Sequence, residues 1–481
     1  MKKLYTLILL STLAFAAVVV TSCDKQLNAV PGQSKVYENL IVDAASAEVA
    51  LNGAYYSYAL CKPDYYGVES TGDPLYTEIL PAGFAGFIYD EDNGDLLIHG
   101  ESSNVYVEAL WKTYYGQLSA ANYVIAAVSA ADDKMFAGNR KKEIIAEAKT
   151  LRALVHTTIL RLFGYSWDVN SPFGIILRNA APTIGGVNER RSTVKETYDS
   201  ILSDLDDAIR DAASVRPNYY VNKNVAKLAK ARVLMMRGQG NDYADAASLC
   251  REIIADGTYA LEENTTDVFH KLGLESKEVI FGIQPKPGQS AVRVSYHRYS
   301  TWDQFWFHDA FAALFAESDT RRGSILAYDN DGYNQGYIPL KHYSMNDRFT
   351  SSTVGETRFE MRLSEAYMLE AEGILRSTGD VASAKALVRT VEQAAGVTDF
   401  EAFDAISTKD ALLEEIFKEG LRNFHTEAGI ELTYMLRFPE NLVKSVHPQY
   451  SERAFYVLPI PDSEFESNTA ISSSTDQNPE F

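Results

Sequence analysis

Glu143-Ile144-Ile145-Ala146-Glu147-Ala148-Lys149-Thr150-Leu151-Arg152-Ala153-Leu154-Val155-His156-Thr157-Thr158-Ile159-Leu160-Arg161-Leu162-Phe163-Gly164 carries the clearest periodicity in the chain. Ile144, Ala148, Leu151, Val155, Ile159 and Leu162 recur every three or four positions, which makes one apolar stripe on a long helix. Gly164 is a fitting stop. Downstream, Ile201, Leu205, Ala208 and Ile209 form a second stripe within 193–209. Thr193 with Glu196 three residues later predicts a capping box at its start. Trp111 and Phe163 lie on periodic helices and are expected in the core. Arg152 and Arg232 sit on mostly apolar helices, where an isolated buried charge is costly, so partners such as Glu147 or Glu365 are expected.

Two further stretches read as helix-turn-helix pairs. One runs from Val225 to Ile254 across Gly238-Gln239-Gly240, the other from Leu363 to Ala395 across Ser377-Thr378-Gly379-Asp380. Both turns lead into small-residue helix starts, Tyr243-Ala244-Asp245-Ala246 and Val381-Ala382-Ser383-Ala384, which let two helices approach closely. The pattern resembles tetratricopeptide-type pairs, spaced irregularly. The stretch 276–360 differs. It holds Pro285, Pro287 and a run of aromatic residues with poor periodicity, and reads as loops, short helices and a few short strands such as Val279–Ile283. A long irregular segment in a helical body is usually functional. The tail after Phe455 is irregular and marked by prolines.

The N-terminus sets the compartment. Lys2 and Lys3 precede an apolar run from Leu4 to Val20 and then Val20-Thr21-Ser22-Cys23. This is a secretory signal, with residues 1–22 removed. The cysteine behind small residues looks like a bacterial lipobox, with Cys23 as the lipidated first residue and 23–40 as a polar tether. The apolar run is shorter than the roughly 20 residues a spanning helix needs. No later segment is a spanning candidate, and residues 41–481 are expected to form one soluble domain with an irregular insert at about 276–360. The chain has 481 residues, is 46% hydrophobic and carries a net charge of −20. Loss of Lys2 and Lys3 makes it more negative still. A core is readily built, and such a surface repels phosphate backbones, so nucleic acid is not an expected partner. Only Cys61 and Cys250 remain beyond Cys23, which excludes a disulfide framework. Cys250 reads as a buried small hydrophobe, with a Cys61–Cys250 bridge as the alternative.

These segments together resemble the SusD/RagB family, surface lipoproteins that bind nutrients for import. Leu110-Trp111 with Tyr114 and Asn122-Tyr123-Val124-Ile125 fits the family's early helix. Ala146-Glu147-Ala148 through Leu151-Arg152-Ala153 to Leu162-Phe163-Gly164 is its most recognisable stretch. Arg191-Ser192-Thr193-Val194, Ala231-Arg232, Gly257-Thr258-Tyr259-Ala260-Leu261 and Glu278-Val279-Ile280-Phe281 follow in the family's order. Arg362-Leu363-Ser364-Glu365-Ala366-Tyr367, Leu458-Pro459-Ile460-Pro461 and Asn478-Pro479 complete it. One block departs: in Glu419-Gly420-Leu421-Arg422, Glu427-Ala428-Gly429, Glu431-Leu432 and Leu436-Arg437 the register against the family's charged pattern is ambiguous and some charged partners are replaced, which puts local salt bridges in question more than the fold. The resemblance implies a mainly helical, all-α body with four repeat-like helix pairs and an irregular, loop-rich ligand-binding face. It also implies a SusC-like TonB-dependent barrel as partner, an outer-membrane surface location held by lipid alone, and no enzymatic activity.

Candidate ligand contacts come from the aromatic clusters. Sugar rings stack C–H groups on aromatic faces while their hydroxyls need amide and carboxylate partners. Tyr296, Tyr299, Trp302 and Trp306 lie beside Asp303; Tyr333 and Tyr337 form a second cluster; Tyr65 and Tyr66 belong to a third. Any one of these rings could instead fill the core. No metal or cofactor motif is present: Asp90-Glu91-Asp92-Asn93-Gly94-Asp95 and Asp329-Asn330-Asp331-Gly332 lack the order of an EF-hand loop and read as solvated turns. Capture of an oligosaccharide, or of a peptide or glycopeptide, is the leading function. A surface glycoside hydrolase using two carboxylates and a ligand-free helical scaffold are the alternatives.

Overall fold

A computed structural model describes residues 41–60, 88–90, 102, 105–181, 188–284, 305–330, 335–341, 354, 357–447 and 450–481. Cys23, Cys61 and the signal and tether therefore lie outside the described residues. Helices dominate: α1 (Ala44–Leu60), α2 (Val105–Ala130), α3 (Arg140–Phe163), α4 (Val194–Asp211), α5 (Lys223–Arg237) and α6 (Asp242–Asp256), then α7 (Leu363–Ser377), α8 (Val381–Ala394), α9 (Lys409–Phe424) and α10 (Ile430–Arg437). Four neighbouring pairs pack together, α3 with α4, α5 with α6, α7 with α8 and α9 with α10, and α4–α5 and α6–α7 contacts join successive pairs. No described helix is long and apolar enough to cross a membrane.

The stripe on α3 explains its place at the centre. Fifteen of its 24 residues are buried, including Ile144, Leu151, Val155 and Ile159. Gly164 caps it as expected, its N–H donating to Leu160 O. Trp111 and Phe163 meet edge to face in the core, with ring centroids 5.0 Å apart. At the start of α4 the predicted capping box is present: Glu196 N–H donates to Thr193 Oγ1 at 3.1 Å, and Thr193 N–H to the Glu196 carboxylate at 2.8 Å. Two backbone donors that the first turn would leave unpaired are thereby satisfied.

Close approach of the pairs depends on small residues. A Cβ on Gly373 would lie 2.6 Å from Tyr243 O, so α7 and α6 meet almost backbone to backbone there. Charged links then lock the stack. Arg232 of α5 pairs with Glu365 of α7 at 2.5 Å, as expected. Arg152 of α3 does not use Glu147; it takes Asp204 of α4 in a bidentate pair at 2.7 Å. Glu147 pairs instead with Arg140 at 2.7 Å and accepts from Tyr55. The nearer carboxylate in sequence loses because the stack places α4 against the Arg152 face. Cys250 is a buried free thiol.

Six short strands accompany the helices among the described residues. Among the described residues β1 (Ile88–Asp90), β3 (Phe305–Phe307), β4 (Leu326–Asn330) and β5 (Gln335–Pro339) form a sheet of order β1-β3-β5-β4. The others, β2 (Val279–Ile283) and β6 (Arg358–Arg362), pair antiparallel, and Glu360 and Arg362 on β6 lead directly into α7. The irregular tail is tied down at the end of α3: Leu458 N–H donates to Leu162 O at 2.7 Å, and Asn478 Nδ2 donates to Leu458 O at 2.7 Å. Arg191 donates to Asn478 Oδ1 at 2.7 Å. The spaced motifs at 162–164, 191 and 478 are thus one contact.

Candidate functional site

The four-stranded sheet carries a row of aromatic side chains that climbs from core to solvent. Phe307 of β3 pairs with Tyr337 of β5, and Tyr337 pairs with Tyr328 of β4. Residues directly opposite on neighbouring strands share a face. Phe307 is 1% exposed, Tyr337 is half-buried and Tyr328 is 49% exposed. The Tyr328 and Tyr337 rings meet edge on at 5.2 Å and 75°. Arg322 closes the far side: its guanidinium lies 5.9 Å from the Tyr337 ring centre and donates to Tyr337 Oη at 3.2 Å. An exposed aromatic face, a phenol and a guanidinium thus stand together, the combination that offers stacking and hydrogen bonding at once.

The hairpin bearing this row is held from beneath by buried charge. Just before β4, Arg321 is 1% exposed and binds Asp319 through Nη2 at 2.8 Å and Glu419 of α9 through Nη1 at 2.7 Å. Arg422 donates to the same Glu419 carboxylate at 2.8 Å. Just after β5, Lys341 is fully buried; its Nζ donates to Asn423 O at 2.7 Å and His425 O at 2.8 Å, and pairs with Glu427. Glu427 also binds Arg362 at 2.7 Å, and Arg362 reaches Glu278 at 2.5 Å. Both ends of the hairpin are therefore fastened to the segment 419–427. That segment belongs to the departing block: Glu419 and Glu427 find cationic partners, so those salt bridges are present, whereas Glu431 makes none among the described residues. Arg437 completes the set with Glu372 at 2.8 Å.

Electrostatics follow from the burial. Burial opposes ionisation of Glu419, but Arg321 and Arg422 overcome it and hold the carboxyl well below its usual range. Burial likewise opposes ionisation of Glu427, and Arg362 and Lys341 outweigh it. For Lys341 burial wins over Glu427 and pulls the ammonium down to about 8. His425, ringed by Phe307, Phe311 and Phe315 at 5.5–6.0 Å, is pushed well below its ordinary value by burial and by Lys341. It is a packing residue whose ring nitrogens face Arg422 O and Ile325 O. Glu431 is the exception: burial raises it to about 7, and its Oε2 has no partner among the described residues.

Of the sequence candidates, the structure places Tyr337 on this row. Trp306 is 1% exposed, its indole face lies on Gly336, where a Cβ would come within 2.5 Å of the ring, and its Nε1 has no partner among the described residues. It is a core ring in this form and offers no stacking face, because its strand neighbour Phe307 and the ring itself are both covered. Tyr65, Tyr66, Tyr296, Tyr299, Trp302, Asp303 and Tyr333 lie outside the described residues. Among the described residues no group of His, Cys, Asp and Glu is placed to hold a metal ion.

Comparison with known proteins fits this architecture. A family model described as "Starch-binding associating with outer membrane" matches residues 88–233, and the SusD family model matches 320–430. The chain belongs to the SusD/RagB family. A SusD superfamily protein from Bacteroides thetaiotaomicron superposes with a TM-score of 0.72 at 20% identity, covering 91% of this chain and 100% of that one. A putative sugar binding protein from Bacteroides vulgatus gives 0.70 at 20% identity, covering 92% and 99%. A SusD-like carbohydrate binding protein from the same species gives 0.65 at 18%, covering 82% and 84%. No curated protein matches the chain.

Within this SusD/RagB chain, sequence reasoning missed Tyr328 and Arg322. One signal for Tyr328 was available. Asp331-Gly332 between Leu326–Asn330 and Gln335–Pro339 is a hairpin cue, and pairing the flanking runs sets Tyr328 beside Tyr337. Arg322 had no such cue, since only the fold turns it toward Tyr337 while its neighbour Arg321 turns inward.

Proposed function

We propose that this protein is a cell-surface lipoprotein that captures an oligosaccharide on the Tyr328–Tyr337–Arg322 row and passes it to a SusC-like TonB-dependent barrel. The observation that carries the reading is an aromatic face 49% exposed at Tyr328, on a hairpin whose ends are fastened by Arg321–Glu419 and Lys341–Glu427. The names of two structural relatives, a sugar binding and a carbohydrate binding protein, favour a glycan over a peptide. Binding needs no covalent step: sugar C–H groups stack on Tyr328, and hydroxyls exchange hydrogen bonds with Tyr337 Oη and Arg322. The carboxylates beneath the row, Glu419 and Glu427, are engaged by arginine and lysine and do not form a free acid–base pair. Lipidation at Cys23 would hold the protein at the outer membrane.

The test is a panel of neutral oligosaccharides by calorimetry, with Tyr328→Ala as comparison. At least one glycan is expected to bind, and loss of the Tyr328 ring to weaken it about tenfold, ~1.4 kcal/mol. Equal affinity of wild type and variant would remove the row from the site. Release of reducing ends would turn the reading toward a hydrolase.

A further inference from the structure

A second cleft lies on the helical side of the molecule and shares no residue with the aromatic row. It is lined by Thr157, Thr158 and Arg161 of α3, Arg232 of α5, and Thr433 and Arg437 of α10. It offers about 70 Å³ to the centre of a water-sized molecule. That is room for several waters, or for a carboxylate with its neighbouring carbons. The half-buried state of Thr157, Thr158 and Thr433 shows that the cleft opens to solvent.

Its charge is unbalanced. Arg232 is matched by Glu365, and Arg437 by Glu372. The remaining glutamate of the lining, Glu360, is taken by Arg358 at 2.5 Å and by Tyr58 at 2.9 Å. Arg161, only 9% exposed, is in ion-pair contact with no carboxylate among the described residues, and Glu431 and Glu360 act on it only from a distance. Its hydrogen bonds all leave from Nη1, to Ala428 O at 2.9 Å, Gly429 O at 2.9 Å and Thr433 Oγ1 at 3.0 Å. Those carbonyls are turned toward it by left-handed backbone at Ala428, φ 48°, and Gly429, φ 62°. Nε is buried without an acceptor, and no bond leaves Nη2 among the described residues. The Nε–Nη2 edge is the one that grips a carboxylate with two parallel N–H donors. A buried cation normally finds such a partner within the protein, because leaving it unpaired is costly.

We infer that this cleft is a binding site for a small carboxylate, held side-on by the free edge of Arg161; the Thr157 and Thr158 hydroxyls beside it are already donated to Ala153 O and Leu154 O and supply wall rather than hydrogen bonds. A uronic acid and a simple aliphatic acid both present the group.

Calorimetric titration of the purified full chain at fixed ionic strength, with sodium glucuronate, sodium acetate and glucose, tests the site. Saturable binding of glucuronate is expected and of glucose at this cleft is not. Acetate binding as tightly as glucuronate would mean that the carboxylate alone is read; weaker acetate would mean that the sugar ring adds contacts. Arg161→Lys keeps the charge but loses the two-donor edge, so acid affinity should fall at least about tenfold with an unchanged far-UV spectrum. Thr158→Glu, at a half-buried position of the lining, should occupy the edge from within and abolish acid binding. Tyr328→Ala should leave acid binding unchanged, which separates this site from the aromatic row. Absence of saturable glucuronate and acetate binding to the wild type would mean a water-filled cleft only and overturn the inference, as would full affinity in both Arg161→Lys and Thr158→Glu.

Discussion

Replacing Glu419 with Gln tests the anchoring of the hairpin. Glu419 is 0% exposed and receives Arg321 at 2.7 and 3.0 Å and Arg422 at 2.8 Å. Glutamine keeps the volume but removes the charge and turns an N–H₂ donor toward guanidinium donors. Breaking a buried pair by removing one partner costs about 3–5 kcal/mol. The lower end, about 3 kcal/mol, is expected because Arg321 keeps Asp319 and Arg422 keeps Glu415 and Glu392. Urea unfolding followed by far-UV circular dichroism at neutral pH measures the loss. The pH dependence gives a second readout. The folded-state carboxyl is held below its unfolded value, so its stabilisation is present above about 4.5 and fades as pH falls through the lowered folded value. Glu419→Gln should therefore flatten the acid side of the stability curve. A loss under about 1 kcal/mol, with an unaltered acid limb, would show that the network does not hold the hairpin.

Glu431→Gln should act in the opposite sense. Burial raises Glu431 to about 7, so the neutral acid's contribution is complete below about 4.5 and lost as pH rises through 7. The variant should match wild type near pH 4 and exceed it at pH 8, by up to about 3 kcal/mol; parallel stability curves would contradict this. Gly373→Ala places a methyl 2.6 Å from Tyr243 O and should cost about 1–3 kcal/mol by forcing α6 and α7 apart, read as a lowered Tm. An unchanged Tm would mean that the pair is not closely packed in solution.

The helical body was legible because its signal is local. The stripe at Ile144, Ala148, Leu151 and Val155, the Thr193–Glu196 box and the two turns at 238–240 and 377–380 are each readable within one or two helices. Ion-pair partners were half legible. Arg232–Glu365 emerged from the need to neutralise a buried cation, but Arg152 chose Asp204 over Glu147 because tertiary placement, not sequence proximity, sets the partner. The buried network beneath the hairpin was not legible, since Arg321 and Glu419 stand 98 positions apart. Strands of three to five residues gave too little alternation to announce a sheet. Trp306 and Tyr337 looked alike in sequence. Facing decides between them: Trp306 lies under Gly336 in the interior, whereas Tyr337 sits on the face that rises to exposed Tyr328.

The most direct test of the central claim is recovery of the lipidated protein from its own membranes in a gentle detergent, with partners identified by mass spectrometry. A TonB-dependent barrel is expected in near-stoichiometric amount, retained when Tyr328 is changed to Ala because the row binds glycan and not the barrel. Recovery of the lipidated protein without any barrel would contradict delivery to a transporter and leave a free-standing surface binder.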